Sequence, residues 1–195
     1  MRRSTLHAMT IREVDATPFL TLPNLVSCSR VALIPAICWT IINNHAALTI
    51  GVFMLIVASD ILDGVIARRT QQETRLGTFV DHGADAFFVV SITTLFAWIG
   101  LLPWILPPLI GFAFIQYALD SHVFTGAALR PSSIGRWNGI AYFAITGFAI
   151  IVHHASFALD LMPALTVCGW LVAGTTAISI TQRALFILSN ARSSK

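Results

Sequence analysis

Apolar residues fill this chain in long runs, and short polar breaks divide them into six. The runs cover about 24–42, 46–68, 76–99, 101–119, 136–153 and 161–188. A hydrocarbon core about 30 Å thick takes about 20 helical residues to cross, and each run supplies close to that number. The breaks carry helix-ending chemistry: NNH at 43–45, Gly100, and Pro103, Pro107 and Pro108 at the start of the fourth run. The predicted fold is all-α, a polytopic membrane protein with six transmembrane helices in a single domain over 1–195. Residues 1–22 precede the first span as a cytoplasmic tail or a short interfacial helix, and the sequence admits both.

Composition agrees with that pattern. Of 195 residues, 56% are hydrophobic and 11% charged, against about 25% charged in ordinary soluble domains. Mean hydropathy is +0.77. Cys28, Cys38 and Cys168 lie inside apolar runs with no metal-ligand spacing, so neither a disulfide framework nor a zinc site is expected. Arg2 and Arg3 are followed by polar sequence without an apolar core segment, so no signal peptide is expected.

The basic residues orient the spans. Arg2, Arg3 and Arg12 precede the first run; Arg68, Arg69 and Arg75 join the second to the third. Arg130 and Arg136 join the fourth to the fifth, and Arg192 and Lys195 end the chain. The opposite loops, near 43–46, 100–103 and 154–160, hold no Lys or Arg. The positive-inside rule puts both termini and the charged loops in the cytoplasm, which for a bacterial chain is the inner face of the inner membrane. Arg30 and Arg183 fall about a turn inside their runs, where they snorkel or line a cavity. Membrane lipid is the expected surrounding, and no nucleic-acid partner is expected.

The stretch DILDGVIARRTQQETRLGTFVDHGAD, residues 60–85, breaks the apolar rule. It holds five of the nine acidic residues and three of the twelve basic ones. Asp60 and Asp63 are three apart and Asp81 and Asp85 four apart, so each pair shares a helical face. A short polar hairpin makes the two helices antiparallel neighbours and brings the carboxylates to one depth. Four carboxylates cannot stay ionised together in a low dielectric without cations. Hard oxygen donors point to Mg²⁺ or Mn²⁺, and four aspartates suit two ions in phosphoryl-transfer chemistry. Gly64, Ala67 and Gly77 leave room beside the acids for a bulky ligand, or serve close helix packing.

Written out, the stretch reads D-x2-D-G-x2-A-R-x8-G-x3-D-x3-D. It resembles the signature of the CDP-alcohol phosphatidyltransferase family at all eight fixed positions and every gap. TLPNLVSCSR, residues 21–30, is similar to the element that opens the first helix in many members. The resemblance implies six membrane helices, a cytoplasm-facing site and a homodimer. It implies transfer of a phosphatidyl group from a CDP-linked lipid, commonly CDP-diacylglycerol, to a small alcohol, with release of CMP. It implies that Asp60, Asp63, Asp81 and Asp85 ligate the metals and that Asp85 is also the general base. Gly64 and Arg68 match positions that contact the CDP group, Ala67 and Gly77 give it space, and Thr74 is a candidate phosphate contact. Asn24 and Ser27 are placed to bond the donor phosphates, although Asn24 can equally cap the first helix.

The acceptor is less defined. Members that use glycerol 3-phosphate often carry Pro after the third aspartate and Lys after the fourth; this chain has His82 and Ala86. Arg30, Arg130, Arg136 and Arg183 are candidate contacts for an anionic acceptor, since guanidinium suits phosphate. Glycerol 3-phosphate is therefore the leading acceptor, with inositol phosphate, serine or another polar alcohol as alternatives. An ion-coupled transporter is the main non-enzymatic rival, but the acids cluster at one membrane face and no inverted repeat is visible.

Overall fold

The computed structural model describes residues 22–70, 75–119, 133–155 and 158–193, with side chains over 29–62, 79–119, 134–155 and 160–186. Among the described residues the chain forms six α-helices and no strand. They are α1 Leu22–Ile42, α2 Ala46–Thr70, α3 Arg75–Trp98, α4 Leu106–Leu119, α5 Ser133–His154 and α6 Ala158–Ser193. The alternatives for residues 1–21, and the roles of Thr74 and Arg130, lie outside the described residues.

Two tight turns set the helix register. Asn44 has φ 57°, and Gly100 has φ 82°. At the first turn His45 N–H donates to Thr40 O (2.9 Å) and Asn44 N–H to Ile41 O (3.1 Å). At the second, Leu101 N–H donates to Phe96 O (2.8 Å) and Gly100 N–H to Ala97 O (3.0 Å). Both are Schellman caps, in which a left-handed residue lets the chain turn back and satisfy the last carbonyls. Glycine adopts that conformation freely and asparagine tolerates it.

The fourth helix departs from its predicted range, starting at Leu106 rather than near 101. Pro103 explains this. It disfavours helical backbone at Leu102, and it lacks the N–H a helix interior requires. Pro107 and Pro108 are tolerated because they fall in the first turn, whose N–H groups have no intrahelical acceptor.

α1 packs on α2 and α3, α3 on α4, α4 on α6, and α5 on α6, with α5 also meeting α2 and α3. Ile37, Ile56, Phe88, Ile92, Phe96, Leu106, Ile150 and Leu165 are fully buried between them. Buried threonines bond back along their own helices, as Thr93 does to Val89 O (2.7 Å) and Thr146 to Tyr142 O (2.8 Å). That local bond keeps a hydroxyl satisfied where water is absent. The outside is as apolar as the core: Trp39, Met54, Leu55, Phe87, Trp98, Phe112 and Leu171 all face outward. Water does not favour such a surface and lipid does. α3 over Phe79–Trp98 and α6 over Asp160–Phe186 are long and apolar enough to cross a membrane; Ser29–Ile42, Ala46–Leu62 and Leu106–Leu119 are shorter apolar stretches.

Gly169 on α6 lies against the turn before α4. A Cβ added there would fall 2.7 Å from Pro103 Cδ and 3.3 Å from Leu102 Cδ2, and the proline ring cannot rotate away. Gly174, on the same helix, faces open space, and a Cβ added there would meet no atom within 4 Å. Gly169→Ala should destabilise the bundle by about 1–3 kcal/mol through overpacking. Gly174→Ala should be neutral or slightly stabilising. Thermal unfolding of both variants in one detergent checks the pair; equal melting temperatures would count against the α6–turn contact.

Candidate active site

Helix geometry brings the acids to one level. At 1.5 Å per residue, Asp60 lies about 21 Å from the start of α2 and Asp85 about 20 Å from the end of α3. Arg30 lies about 18 Å from the end of α1. Because the two Schellman turns and these helix ends are at the same side, the three positions meet across the bundle. Asp60, Asp81 and Asp85 each offer a carboxylate oxygen, and the three lie within 4.8 Å of one another.

Arg30 stands among them. Its side chain is 0% exposed, and its Nη1 donates to Asp85 Oδ1. The same Nη1 lies 3.2 Å from Asp60 Oδ1, and Nη2 donates to Asp81 Oδ1 at 3.1 Å. One guanidinium thus joins carboxylates from two helices to a third. The sequence makes Arg30 a candidate acceptor contact; the structure places its guanidinium against the three aspartates. Asp63, Gly64, Ala67, Arg68 and Gly77 sit in α2 and α3, and Asn24 and Ser27 in α1; their side chains lie outside the described residues.

A cavity of about 620 Å³ opens beside the cluster, and Asp60 and Asp85 line it while Asp81 does not. Arg136 and Arg183, the two other expected arginines whose side chains are described, both line it. Its other polar groups are His82, Gln116, Tyr117, Tyr142 and Ser179, and its apolar wall includes Val57, Val89, Ile110, Phe114, Ile140 and Phe143. The polar groups hold one another in place. Arg183 lies over the Tyr117 ring, 5.7 Å from its centre, and His82 stacks on the same tyrosine at 5.5 Å. Tyr142 Oη and Thr176 Oγ1 are 3.0 Å apart, and Gln116 Nε2 donates to Ile180 O at 3.2 Å. Arg183 Nη1 is buried with no hydrogen-bond partner among the described residues. A buried guanidinium N–H without an acceptor is costly, and an anion in the cavity would satisfy it.

Sequence reasoning passes over Gln116, Tyr117 and Tyr142. The available signal is a polar group inside an otherwise apolar run, which in a membrane helix marks an inward face. His153 and His154 are at the far end and are packed: His153 Nε2 is 3.1 Å from Ile41 O, and His154 Nε2 3.1 Å from Thr49 Oγ1. They tie the end of α5 to the α1–α2 turn.

The family model described as CDP-alcohol phosphatidyltransferase matches residues 20–181. A rice protein named CDP-diacylglycerol--glycerol-3-phosphate 3-phosphatidyltransferase 1, chloroplastic, is 31% identical over 83% of this chain and 55% of its own length. The cardiolipin synthase (CMP-forming) of Streptomyces coelicolor is 34% identical over 46% of this chain and 45% of its own. The human cardiolipin synthase (CMP-forming) is 33% identical over 43% of this chain and 28% of its own. The chain thus spans about half, or less, of the length of these relatives.

Hard carboxylate oxygens gathered within reach of one another fit a divalent cation such as Mg²⁺ or Mn²⁺. Asp81→Asn removes one charged donor without changing the shape of the side chain. Mn²⁺ should raise the melting temperature of the unaltered protein, and the concentration needed should rise at least about tenfold in the variant. The same Mn²⁺ response from both proteins would remove Asp81 from the ligand set.

Proposed function

Because the chain belongs to the CDP-alcohol phosphatidyltransferase family, we propose that it moves the phosphatidyl group of CDP-diacylglycerol to an alcohol and releases CMP, in phospholipid biosynthesis. The observation that carries this reading is the meeting of Asp60, Asp81 and Asp85 at the edge of a cavity that also holds Arg136 and Arg183. Donor chemistry and acceptor binding then face each other across one space.

Asp60, Asp63, Asp81 and Asp85 hold two divalent cations, Mg²⁺ or Mn²⁺, in this reading. When bound, they neutralise the donor's pyrophosphate and the charge that develops on CMP. Asn24, Ser27, Gly64, Ala67, Arg68, Thr74 and Gly77 form the donor side, as their match to the family pattern implies. Asp85 is the general base, and its exposure to the cavity favours it over Asp81. Its carboxylate takes the proton of the acceptor hydroxyl. The hydroxyl oxygen bonds to the lipid-side phosphorus, and the P–O bond to CMP breaks with its electron pair leaving on CMP. The apolar wall keeps water, the competing acceptor, from the phosphorus.

Arg130, Arg136 and Arg183 bind an anionic acceptor, and glycerol 3-phosphate is the leading one. The buried Nη1 of Arg183, without a hydrogen-bond partner among the described residues, supports an anion, and the rice relative carries glycerol 3-phosphate in its name. A second reading takes a lipid alcohol, phosphatidylglycerol. It is favoured by Phe114, Ile140 and Phe143 in the cavity wall and by the relatives named cardiolipin synthase. In this reading the protein is one membrane domain of six spans in a bacterial inner membrane. Both termini and the site face the cytoplasm, and the active form is a homodimer. The arginine distribution in the sequence supports the orientation.

Purified protein with Mg²⁺ or Mn²⁺ and CDP-diacylglycerol should release CMP when glycerol 3-phosphate or phosphatidylglycerol is added, with the lipid product identified by mass. No CMP release across these acceptors, inositol phosphate and serine would defeat the enzyme reading. Asp85→Asn should lower kcat by about 10²–10⁴-fold. Arg183→Gln should raise KM for the anionic acceptor by about tenfold, with a smaller change in kcat. An unchanged KM would take Arg183 out of acceptor binding.

A further inference from the structure

We infer that Arg30 is a rival of the divalent cations: it occupies the oxygens that a metal must take, and it leaves the carboxylate cluster when the site loads. The inference rests on the metal reading of the aspartates given above.

The geometry is one of exclusion. Nη1 of Arg30 contacts both Asp60 and Asp85, and Nη2 contacts Asp81 at 3.1 Å. Each of these three carboxylates also offers an oxygen to a group whose members lie within 4.8 Å of one another. A Mg²⁺ ion sits about 2.1 Å from each of its oxygen ligands. An ion that draws these carboxylates together therefore competes for the oxygen lone pairs that the guanidinium holds. Size and like charge both forbid the two cations from holding the same oxygens.

Charge gives the displacement a direction. Arg30 supplies one positive charge against three carboxylates, so it steadies the cluster without neutralising it. Two divalent ions balance all four aspartates and leave the charge of Arg30 surplus there. The donor's pyrophosphate brings negative charge to the same end of the bundle. Arg30 then finds its anion in the donor rather than in the aspartates. Metal and donor binding thereby become coupled, each making the other tighter, because both favour the withdrawn guanidinium. Arg30 acts in this as a positioning residue.

The sign of one measurement separates this role from a merely structural one. A buried residue that simply supports the ligands weakens metal binding when it is removed. A rival strengthens it. The experiment is Mn²⁺ binding to purified protein without substrate, read from the electron paramagnetic resonance signal of the free ion. The proteins are unaltered, Arg30→Gln and Arg30→Lys. Arg30→Gln should bind Mn²⁺ at least about tenfold more tightly, since it loses several charge-assisted bonds that compete with the metal. Arg30→Lys should bind several-fold more tightly, because an ammonium cannot span the three carboxylates as the planar fork does. It decides the question if the glutamine variant does not fold. Adding CDP should tighten Mn²⁺ binding more in the unaltered protein than in either variant. Equal or weaker Mn²⁺ binding by the folded variants overturns the inference while leaving the metal reading intact. Absence of Mn²⁺ binding from all three proteins overturns the metal reading and this inference with it.

Discussion

Negative charge held inside an apolar bundle is the constraint on which the rest of this structure depends. Asp60, Asp81 and Asp85 lie close together on helices whose other faces are built for lipid. They are only partly exposed, and their mutual repulsion calls for a cation from within the protein or from a bound ion. Arg30 meets part of that need, and in doing so it fixes α1 against α2 and α3. The fully buried guanidinium is tolerable only because the carboxylates surround it. Helix packing and site electrostatics are therefore one problem in this half of the molecule.

The opposite end of the bundle supplies the precision. Asn44 and Gly100 make turns short enough that a shift of one residue in either helix would rotate an aspartate by about 100° away from its partners. His153 and His154 fasten α5 to the α1–α2 turn about 20 Å from the acids. A firmly tied end lets the opposite end hold mutually repelling groups in register. Each helix transmits the turn geometry to the site because its backbone hydrogen bonds are complete in an environment without water.

Much of this was legible in the sequence. The helix order followed from apolar runs, and the two turns from Asn and Gly at places where a left-handed residue was needed. The shared face of Asp81 and Asp85 follows from their spacing of four, and their meeting with Asp60 from the antiparallel neighbouring of α2 and α3. The late start of α4 was marked by Pro103 but read as part of the helix; the restriction a proline places on the residue before it decides the boundary. The partner of Arg30 was not legible. A helix that is apolar on nearly all faces carries no period to tell which side turns inward, and a long arginine can reach several neighbours. Tyr117 and Tyr142 were missed for a related reason, since each reads as one more large apolar residue until its hydroxyl or ring meets a partner across the cavity.

The cavity joins two demands that ordinarily conflict. Holding an anion calls for polar donors, and protecting an activated phosphorus from hydrolysis calls for apolar walls. The cavity supplies both. Arg136, Arg183, Tyr117 and Tyr142 line it together with Asp60 and Asp85, and Val89, Ile110, Phe114 and Phe143 are part of its apolar lining. Arg183 is held over an aromatic ring instead of a carboxylate, so its charge stays available to a ligand. Had Arg183 been paired with Asp60 or Asp85, it would have neutralised the acids and lost its use to an acceptor. Arg30, which contacts the same carboxylates, takes that pairing role. The division of labour between two arginines, buried Arg30 against the aspartates and half-buried Arg183 lining the cavity, allows a single small bundle to present both negative and positive charge to its ligands.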